Sequence, residues 1–293
     1  MDLPRIQWYP GHIAKAQRTL KERLAVVDLV IEVADARIPA SSRFPEAGRL
    51  VGGKPSILVL AKPDLAEAGA TAHWARTLGA VVVDCRTGQG LAAVRRQLVD
   101  LKARVDARMR TRGRLPRAAR VMVVGLPNVG KSSLINRLAG RRKAPTGDKP
   151  GITRAPGWIR LGKDLELLDT PGLISPRLDD AVAAFKLALV GAVSDEAYDP
   201  QEVARTAMRW VAERYPAELA SYGGGGDRDW SAEGGLEALA RSRHWLSQGR
   251  PDVTRAARTF LHDLQDGEIG RMTWDVPPNG AVEIAPGPAR PDR

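Results

Sequence analysis

Short apolar runs recur along the first half of the chain at Leu29 to Ala34, Ser56 to Leu60, Ala80 to Val83, Val121 to Val124 and Leu165 to Leu168. Each is rich in Val, Ile or Leu and bounded by charges or turn residues, the pattern of strands buried on both faces of a largely parallel sheet. Stretches with helical spacing lie between them, among them Ile13 to Leu24, His73 to Leu78 and Leu91 to Arg108. Alternation of this kind predicts an α/β, doubly wound domain. Beyond Pro171-Gly172 the texture changes. Asp179 to Val193, Pro200 to Tyr215, Gly235 to Ser247 and Asp252 to Gln265 carry apolar residues at helical spacing, so a small all-helical domain is expected there. Asp199 before Pro200 has the form of an N-cap followed by proline at the first helical position.

These patterns place the domains at residues 1–175 and 176–276, with a Pro- and Gly-rich tail at 277–293 expected to be disordered. Between Lys102 and Arg120 the chain is dense in arginine and reads as a helix that becomes a linker at Gly113 and Pro116.

The chemistry begins after the fourth apolar run. Gly125-Leu126-Pro127-Asn128-Val129-Gly130-Lys131-Ser132 matches the G-x-x-x-x-G-K-[ST] phosphate loop in full, with a strand before it and the helical Ser133-Leu134-Ile135 after it. Glycines let backbone N–H groups turn toward phosphate oxygens, Lys131 supplies a point charge, and the Ser132 hydroxyl is a ligand for Mg²⁺. The start of the following helix, with Ser133, adds its own attraction for an anion. Asp169-Thr170-Pro171-Gly172 follows the fifth run as D-x-x-G, in which Asp169 reaches Mg²⁺ through water and the Gly172 N–H senses the γ-phosphate. Pro150-Gly151-Ile152-Thr153 offers Thr153 as the switch hydroxyl that completes the Mg²⁺ shell, an ordinary loop threonine being the alternative.

The base-reading pattern stands upstream instead of downstream. Ala61-Lys62-Pro63-Asp64 follows the second run: Asp64 is placed to accept from guanine N1 and N2, and Lys62 to lie along the base. Asp84-Cys85-Arg86-Thr87-Gly88-Gln89-Gly90 follows the third run and is similar to S-A-K-T-G-Q-G, where a backbone N–H at the position of Cys85, next to Arg86, contacts guanine O6. The order is base, base, phosphate, switch, switch. Chain order does not matter to such a site, because its geometry is set by strand ends in the sheet.

In this order, and with Gln7-Trp8-Tyr9-Pro10-Gly11-His12 at the start and Asp35-Ala36-Arg37-Ile38-Pro39 as a D-A-R-x-P box, the chain resembles the circularly permuted GTPases, in particular the YlqF family of ribosome biogenesis GTPases. The resemblance runs from about Gln7 to Trp274 and implies GTP and GDP as ligands, hydrolysis of GTP, and a role in assembly of the large ribosomal subunit or its rRNA precursor. It also implies His12 as the group that positions water, since Leu173 stands where Ras-like proteins place a catalytic glutamine. Packing or RNA contact by His12 remains the other reading. Asn128 resembles the asparagine that holds K⁺ in potassium-activated GTPases; a plain loop asparagine is the alternative. The chain departs from the family at Ala61, where an asparagine is usual, and at Asp84-Cys85, where serine and alanine are usual.

Composition adds a partner class. Lys plus Arg number 45 against 34 Asp plus Glu, a net charge of +11. The excess suits a polyanion such as nucleic acid, RNA or DNA alike, although a general arginine bias would give the same count. The resemblance implies that the helical domain, with Arg205, Arg209, Arg214, Arg241, Arg243, Arg255 and Arg258, is the RNA-facing part; a solvated surface charge is the alternative for each. The single cysteine excludes an internal disulfide, no run reaches the roughly 18 apolar residues of a membrane span, and the N-terminus has no apolar signal core, so a cytoplasmic protein is expected. The alternative from another class is a nucleotide-gated RNA-binding module with negligible turnover, kept open by Ala61.

Overall fold

The computed structural model describes residues 3–6, 18, 20–43, 53–140, 158–168, 180–224, 230 and 234–277. They divide into two units, one holding the sheet and residues 275–277, the other holding residues 3–6 and the helices from 180 to 274.

The first unit is a six-stranded sheet. Its strands are β1 (Leu29–Asp35), β2 (Ser56–Ala61), β3 (Val81–Val83), β4 (Ala119–Val124), β5 (Trp158–Leu161) and β6 (Leu165–Leu168), in the spatial order β3-β2-β1-β4-β6-β5. All pairings are parallel except β5 with β6. β1 is buried along its whole length, which is why it reads as a mostly apolar run, interrupted by Glu32, rather than an alternating one. Helices α1 (Ala68–Leu78), α2 (Leu91–Thr111) and α3 (Lys131–Ala139) follow β2, β3 and β4. α1 and α2 pack on β2 and β3, and α3 packs on β4 and β5. α2 buries only Val94 and Leu98, near its start; its arginine-rich second half runs on to Thr111 and stops at Arg112 and the left-handed Gly113.

Strand order reverses between β1 and β4, the point at which open α/β sheets bind ligands beyond the carboxyl ends of their strands. Those ends, read across the sheet, carry Asp84 to Gly90 after β3, Lys62 to Asp64 after β2, Asp35 on β1, and the phosphate loop after β4. The permuted motifs therefore stand side by side on one edge.

The second unit contains α4 (Ala181–Leu189), α5 (Pro200–Arg214), α6 (Pro216–Tyr222), α7 (Gly235–Ser242), a hairpin of β7 (Leu246–Ser247) and β8 (Arg250–Pro251), and α8 (Val253–Asp266). Asp199 caps α5 by accepting from the Gln201 N–H at 2.8 Å, with Pro200 at the first position. Asp180 caps α4 and Asp252 caps α8 in the same way. The α8 side chains Ala256, Ala257, Phe260, Leu261 and Leu264 form its buried stripe. Trp210 stands edge-on to Phe185 at 5.0 Å, and Trp274 packs against Tyr215 at 5.9 Å.

Two expectations need correction. The helix expected from Gly235 to Ser247 ends at Ser242, and Leu246 instead begins the β7–β8 hairpin. Gln248 and Gly249, with φ of 51° and 76°, form the left-handed pair that a two-residue hairpin turn requires. β5 and α6 were also absent from the sequence pattern. β5 alternates buried and exposed positions, with Ile159 buried and Trp158 and Arg160 exposed, and is too short for the pattern to show. The expected helix from Ile13 to Leu24 lies mostly outside the described residues, with helix seen at 18 and 20–24, and the expected tail lies outside them from 278 onward.

Candidate functional site

The phosphate loop is shaped by its glycines. Gly125 has a φ of 154°, and a Cβ there would sit 2.4 Å from the Val33 carbonyl oxygen, so β1 and the loop meet as bare backbone. Asn128 and Gly130 are left-handed, at 56° and 102°. Val129 is fully buried and anchors the loop from beneath. Gly130 leads directly into α3, whose first residue is Lys131, followed by Ser132 and Ser133. The loop N–H groups and the helix start thus converge on one point, a ready anion site.

Lys131 is buried, and its Nζ donates to the Leu126 carbonyl across the loop. Burial, with the neighbouring charge of Lys62 adding to it, pushes its ammonium down to about 7. Among the described residues no carboxylate pairs with it, and a buried cation so placed favours the arrival of an anion such as a phosphate. The Ser132 hydroxyl makes no hydrogen bond to any described residue and is half-buried at the head of α3. A hard oxygen donor in that position fits Mg²⁺, the cofactor of GTPases generally, whose charge would offset that of the phosphates.

On the base side, Lys62 takes a left-handed conformation, φ 59° and ψ 43°, between β2 and the short 3₁₀ turn Pro63–Leu65. Its ammonium lies 3.2 Å from Asp35 Oδ2. Burial lowers the lysine's pKa and the Asp35 charge works against that fall. Asp35 is wholly buried at the end of β1 and accepts from Arg37 three times, from Nε at 2.9 Å, the second guanidinium nitrogen at 2.8 Å, and the backbone N–H at 3.0 Å. Burial alone would raise its carboxyl; the charges of Arg37 and Lys62 and the Arg37 hydrogen bonds hold it at about 2. Asp64 is paired through Oδ2 with the Arg86 guanidinium at 3.1 Å.

The loop after β3 explains its departure from the family pattern. Asp84 Oδ1 accepts from the N–H groups of Arg86 and Thr87, and Oδ2 accepts from the Thr87 hydroxyl at 2.8 Å. The carboxylate therefore builds the turn that a serine would otherwise start. Burial alone would raise its carboxyl, but the hydrogen bonds from Arg86 and Thr87, with the Arg86 charge, together hold its pKa below the usual carboxylate value. Arg137 of α3 donates to the Cys85 carbonyl at 2.6 Å and to the Arg86 carbonyl. With the carbonyls held by Arg137, the Cys85 N–H donates to no described residue, the condition needed to contact guanine O6. Burial pushes the Cys85 thiol up to about 11, so it remains a neutral filler. Ala61 is buried, and its Cβ faces Gly130, 3.3 Å from where a Cβ on that glycine would stand. An asparagine at this position would point its amide at the phosphate loop.

The structure brings together Lys62, Asp64, Cys85, Arg86, Asn128, Val129, Gly130, Lys131, Ser132 and Ser133 along one sheet edge. His12, Thr153, Asp169, Gly172 and Leu173 lie outside the described residues. Asp35, Asp84 and Arg137 are parts of the site to which the sequence reading assigned no role. The only sequence signal for Asp35 was the D-A-R-x-P box; Asp84 looked like a defect, and Arg137 carried no signal.

Residues 120–216 match the family model described as a 50S ribosome-binding GTPase. The chain is 39% identical over 279 residues to ribosome biogenesis GTPase A of Priestia megaterium, covering 93% of this chain and 97% of the relative. The chain belongs to the ribosome biogenesis GTPase A family. The Thermotoga maritima relative is 33% identical over 277 residues, covering 93% of this chain and 95% of that one. The crystal structure of GNP-bound YlqF from the same organism matches with a TM-score of 0.62 at 28% identity, over 89% of this chain and 97% of that one. A GDP-bound YlqF structure matches with a TM-score of 0.63 at 27% identity, over 88% and 98%. As a member of this family the chain is a GTPase with the permuted fold, and the reading as a binding module with negligible turnover is not favoured.

Proposed function

We propose that this GTPase works as a nucleotide-driven switch in assembly of the large ribosomal subunit, the role in ribosome biogenesis that its relatives' names carry. The observation that supports this best is the gathering of guanine-reading and phosphate-binding groups on one sheet edge from motifs in permuted order. In that order the D-x-x-G segment leads straight into the helical domain, 176–276 by the sequence pattern, so loss of the γ-phosphate can act directly on the part that meets the ribosome. Ser132, Thr153 and Asp169 would hold Mg²⁺, with the Gly172 N–H sensing the γ-phosphate. Asn128, already left-handed in the loop, would hold K⁺; equal turnover in K⁺ and Na⁺ would reject that role.

The RNA-facing surface divides the seven arginines. Arg205 pairs with Glu237, Arg209 donates to the Thr206 hydroxyl, and Arg214 donates to the Trp274 carbonyl. Arg205 and Arg214 thus link separate segments of the helical unit, and Arg209 is bonded within its own helix. Arg241 and Arg243, with His244, line a cleft of about 740 Å³ beside Tyr222. Arg243 stacks over the Tyr222 ring and Arg255 over Trp245. Exposed guanidinium planes on aromatic rings suit phosphates and unstacked bases. These, with Arg258, form the surface we assign to rRNA. A cytoplasmic setting goes with this role, and no described helix is long and apolar enough to cross a membrane.

The test is GTP turnover with and without isolated large ribosomal subunits. Slow intrinsic turnover, stimulation by the subunit, and loss of that stimulation in His12→Ala with GTP affinity retained would support the reading. A subunit that neither binds nor stimulates would contradict it.

A further inference from the structure

The helical unit ends at Trp274, whose ring is buried against Tyr215 and Trp210. The next residue, Asp275, belongs to the nucleotide-binding unit and is itself buried, at 4% exposure. Its Oδ2 accepts from the backbone N–H groups of Ala40 and Ser41 at 2.7 and 2.8 Å, and its Oδ1 accepts from the Ser41 hydroxyl at 2.6 Å. Its own carbonyl accepts from Trp74 Nε1 at 3.2 Å. Trp74 in turn packs on Ala34 and Leu60 near the ends of β1 and β2, and on Ala36 and Ala66 in the segments that follow them.

Ala40 and Ser41 close the loop that leaves β1 at Asp35. The Ser42 hydroxyl accepts from the Asp35 N–H at 2.9 Å and donates to the Ile38 carbonyl at 2.7 Å. The Ala36 N–H donates to the Ala61 carbonyl at 2.8 Å, tying the same loop to the end of β2. Asp35 then holds the Lys62 ammonium. A carboxylate some 230 residues away in the chain thus completes a loop whose first residue sets the position of a base-side lysine. A buried carboxylate taking three hydrogen bonds, two of them from otherwise unsatisfied loop N–H groups, is a strong local constraint.

We propose that Asp275 is a positioning residue for guanine-nucleotide binding, acting through the loop from Ala36 to Ser42 and Asp35 on Lys62. The proposal rests on the reading of Lys62 and Asp64 as the base side of the site. It assigns the segment just past the helical unit to the nucleotide machinery, where no motif of the sequence had put it. Because the Asp275 side chain is bonded to the Ala40–Ser41 end of that loop and its carbonyl to Trp74, its loss should loosen nucleotide binding and leave the hydrolytic step alone.

The experiment compares full-length Asp275→Ala and Asp275→Asn in steady-state GTP hydrolysis and in GDP release, with Asp64→Asn as the control for the base-site reading. Asparagine keeps an oxygen for the two N–H groups, whereas alanine leaves them unpaired. The expected result for Asp275→Ala is a KM for GTP raised on the order of tenfold, GDP release faster by a similar factor, and kcat within about twofold of wild type. Asp275→Asn should recover most of that loss. A KM in Asp275→Ala equal to wild type, or a fall in kcat with KM unchanged, overturns the proposal while an altered Asp64→Asn keeps the base site. An Asp64→Asn protein that binds GTP like wild type overturns both. If Asp275→Ala does not fold, Ser41→Ala removes only the hydroxyl donor and should raise KM about twofold to threefold; an unchanged KM there overturns the proposal as well.

Discussion

The two halves of the nucleotide site are built on different terms. The phosphate half is mostly backbone: glycines and a left-handed asparagine shape a loop around one buried lysine, and the sequence from Gly125 to Ser132 matches the motif in full. The base half departs from the family pattern at Ala61, Asp84 and Cys85, and side chains from outside its motifs carry its geometry. Asp84 builds the turn, Arg137 turns the Cys85 and Arg86 carbonyls away, and Asp35 holds Lys62. A cradle made of backbone N–H groups has no substitute, because a Cβ on Gly125 would collide with β1. A loop that presents one N–H and one carboxylate can be held in several ways. Departures from the pattern therefore concentrate on the base side.

Removing the central charge of the phosphate half should have the largest effect. Lys131→Ala is expected to weaken GTP binding by about 100-fold or more, the scale for truncating one partner of a buried charge pair. Wild-type affinity in a titration would contradict the phosphate-loop assignment. On the base side, Asp35 makes a testable contribution to acid stability. Its carboxyl lies at about 2 in the folded chain against an ordinary 3.8. That difference corresponds to about 2 kcal/mol of stability, present above pH 4 and lost as pH falls from 4 to 2. Asp35→Asn should flatten the acid limb of the stability profile in that window; an unchanged limb would show the pairing to be unimportant.

Smaller effects should sharpen the contrast. Arg137→Ala frees the Cys85 and Arg86 carbonyls and should speed GDP release by about threefold to tenfold, with little change in the affinity for inorganic phosphate analogues. Equal loosening of both would mean that Arg137 holds α3 rather than the base loop. Ala61→Asn supplies the amide usual in the family, facing Gly130, and should tighten GTP binding about threefold. Weaker binding would show that the loop has closed around alanine.

The asymmetry between halves also governs what could be read without coordinates. The phosphate loop was legible because its chemistry demands fixed residue types at fixed spacing, and the buried parallel strands because both faces must be apolar. Asp199-Pro200 marked the start of α5 to the residue for a local reason, cap followed by proline. The β7–β8 hairpin was not legible: its strands are two residues each, and Gln248 gives a weaker turn signal than asparagine would. Asp84 read as a lost serine because only the turn itself shows that its carboxylate accepts three hydrogen bonds. Arg137 and Asp275 act across the sheet edge and across the length of the chain, at separations that periodicity and motif spacing do not reach.

The account stands most directly on Asp64, which with Lys62 keeps the family pattern on the base side and is the group expected to choose the base. It can be tested by measuring dissociation constants for GTP and xanthosine triphosphate with wild type and Asp64→Asn. Guanine donates from N1 and the N2 amino group to a carboxylate, whereas xanthine carries an oxygen at position 2 and needs a donor. The account predicts that wild type prefers GTP and that Asp64→Asn swings the ratio toward xanthosine triphosphate by at least about 100-fold. A ratio unchanged by the substitution would contradict it.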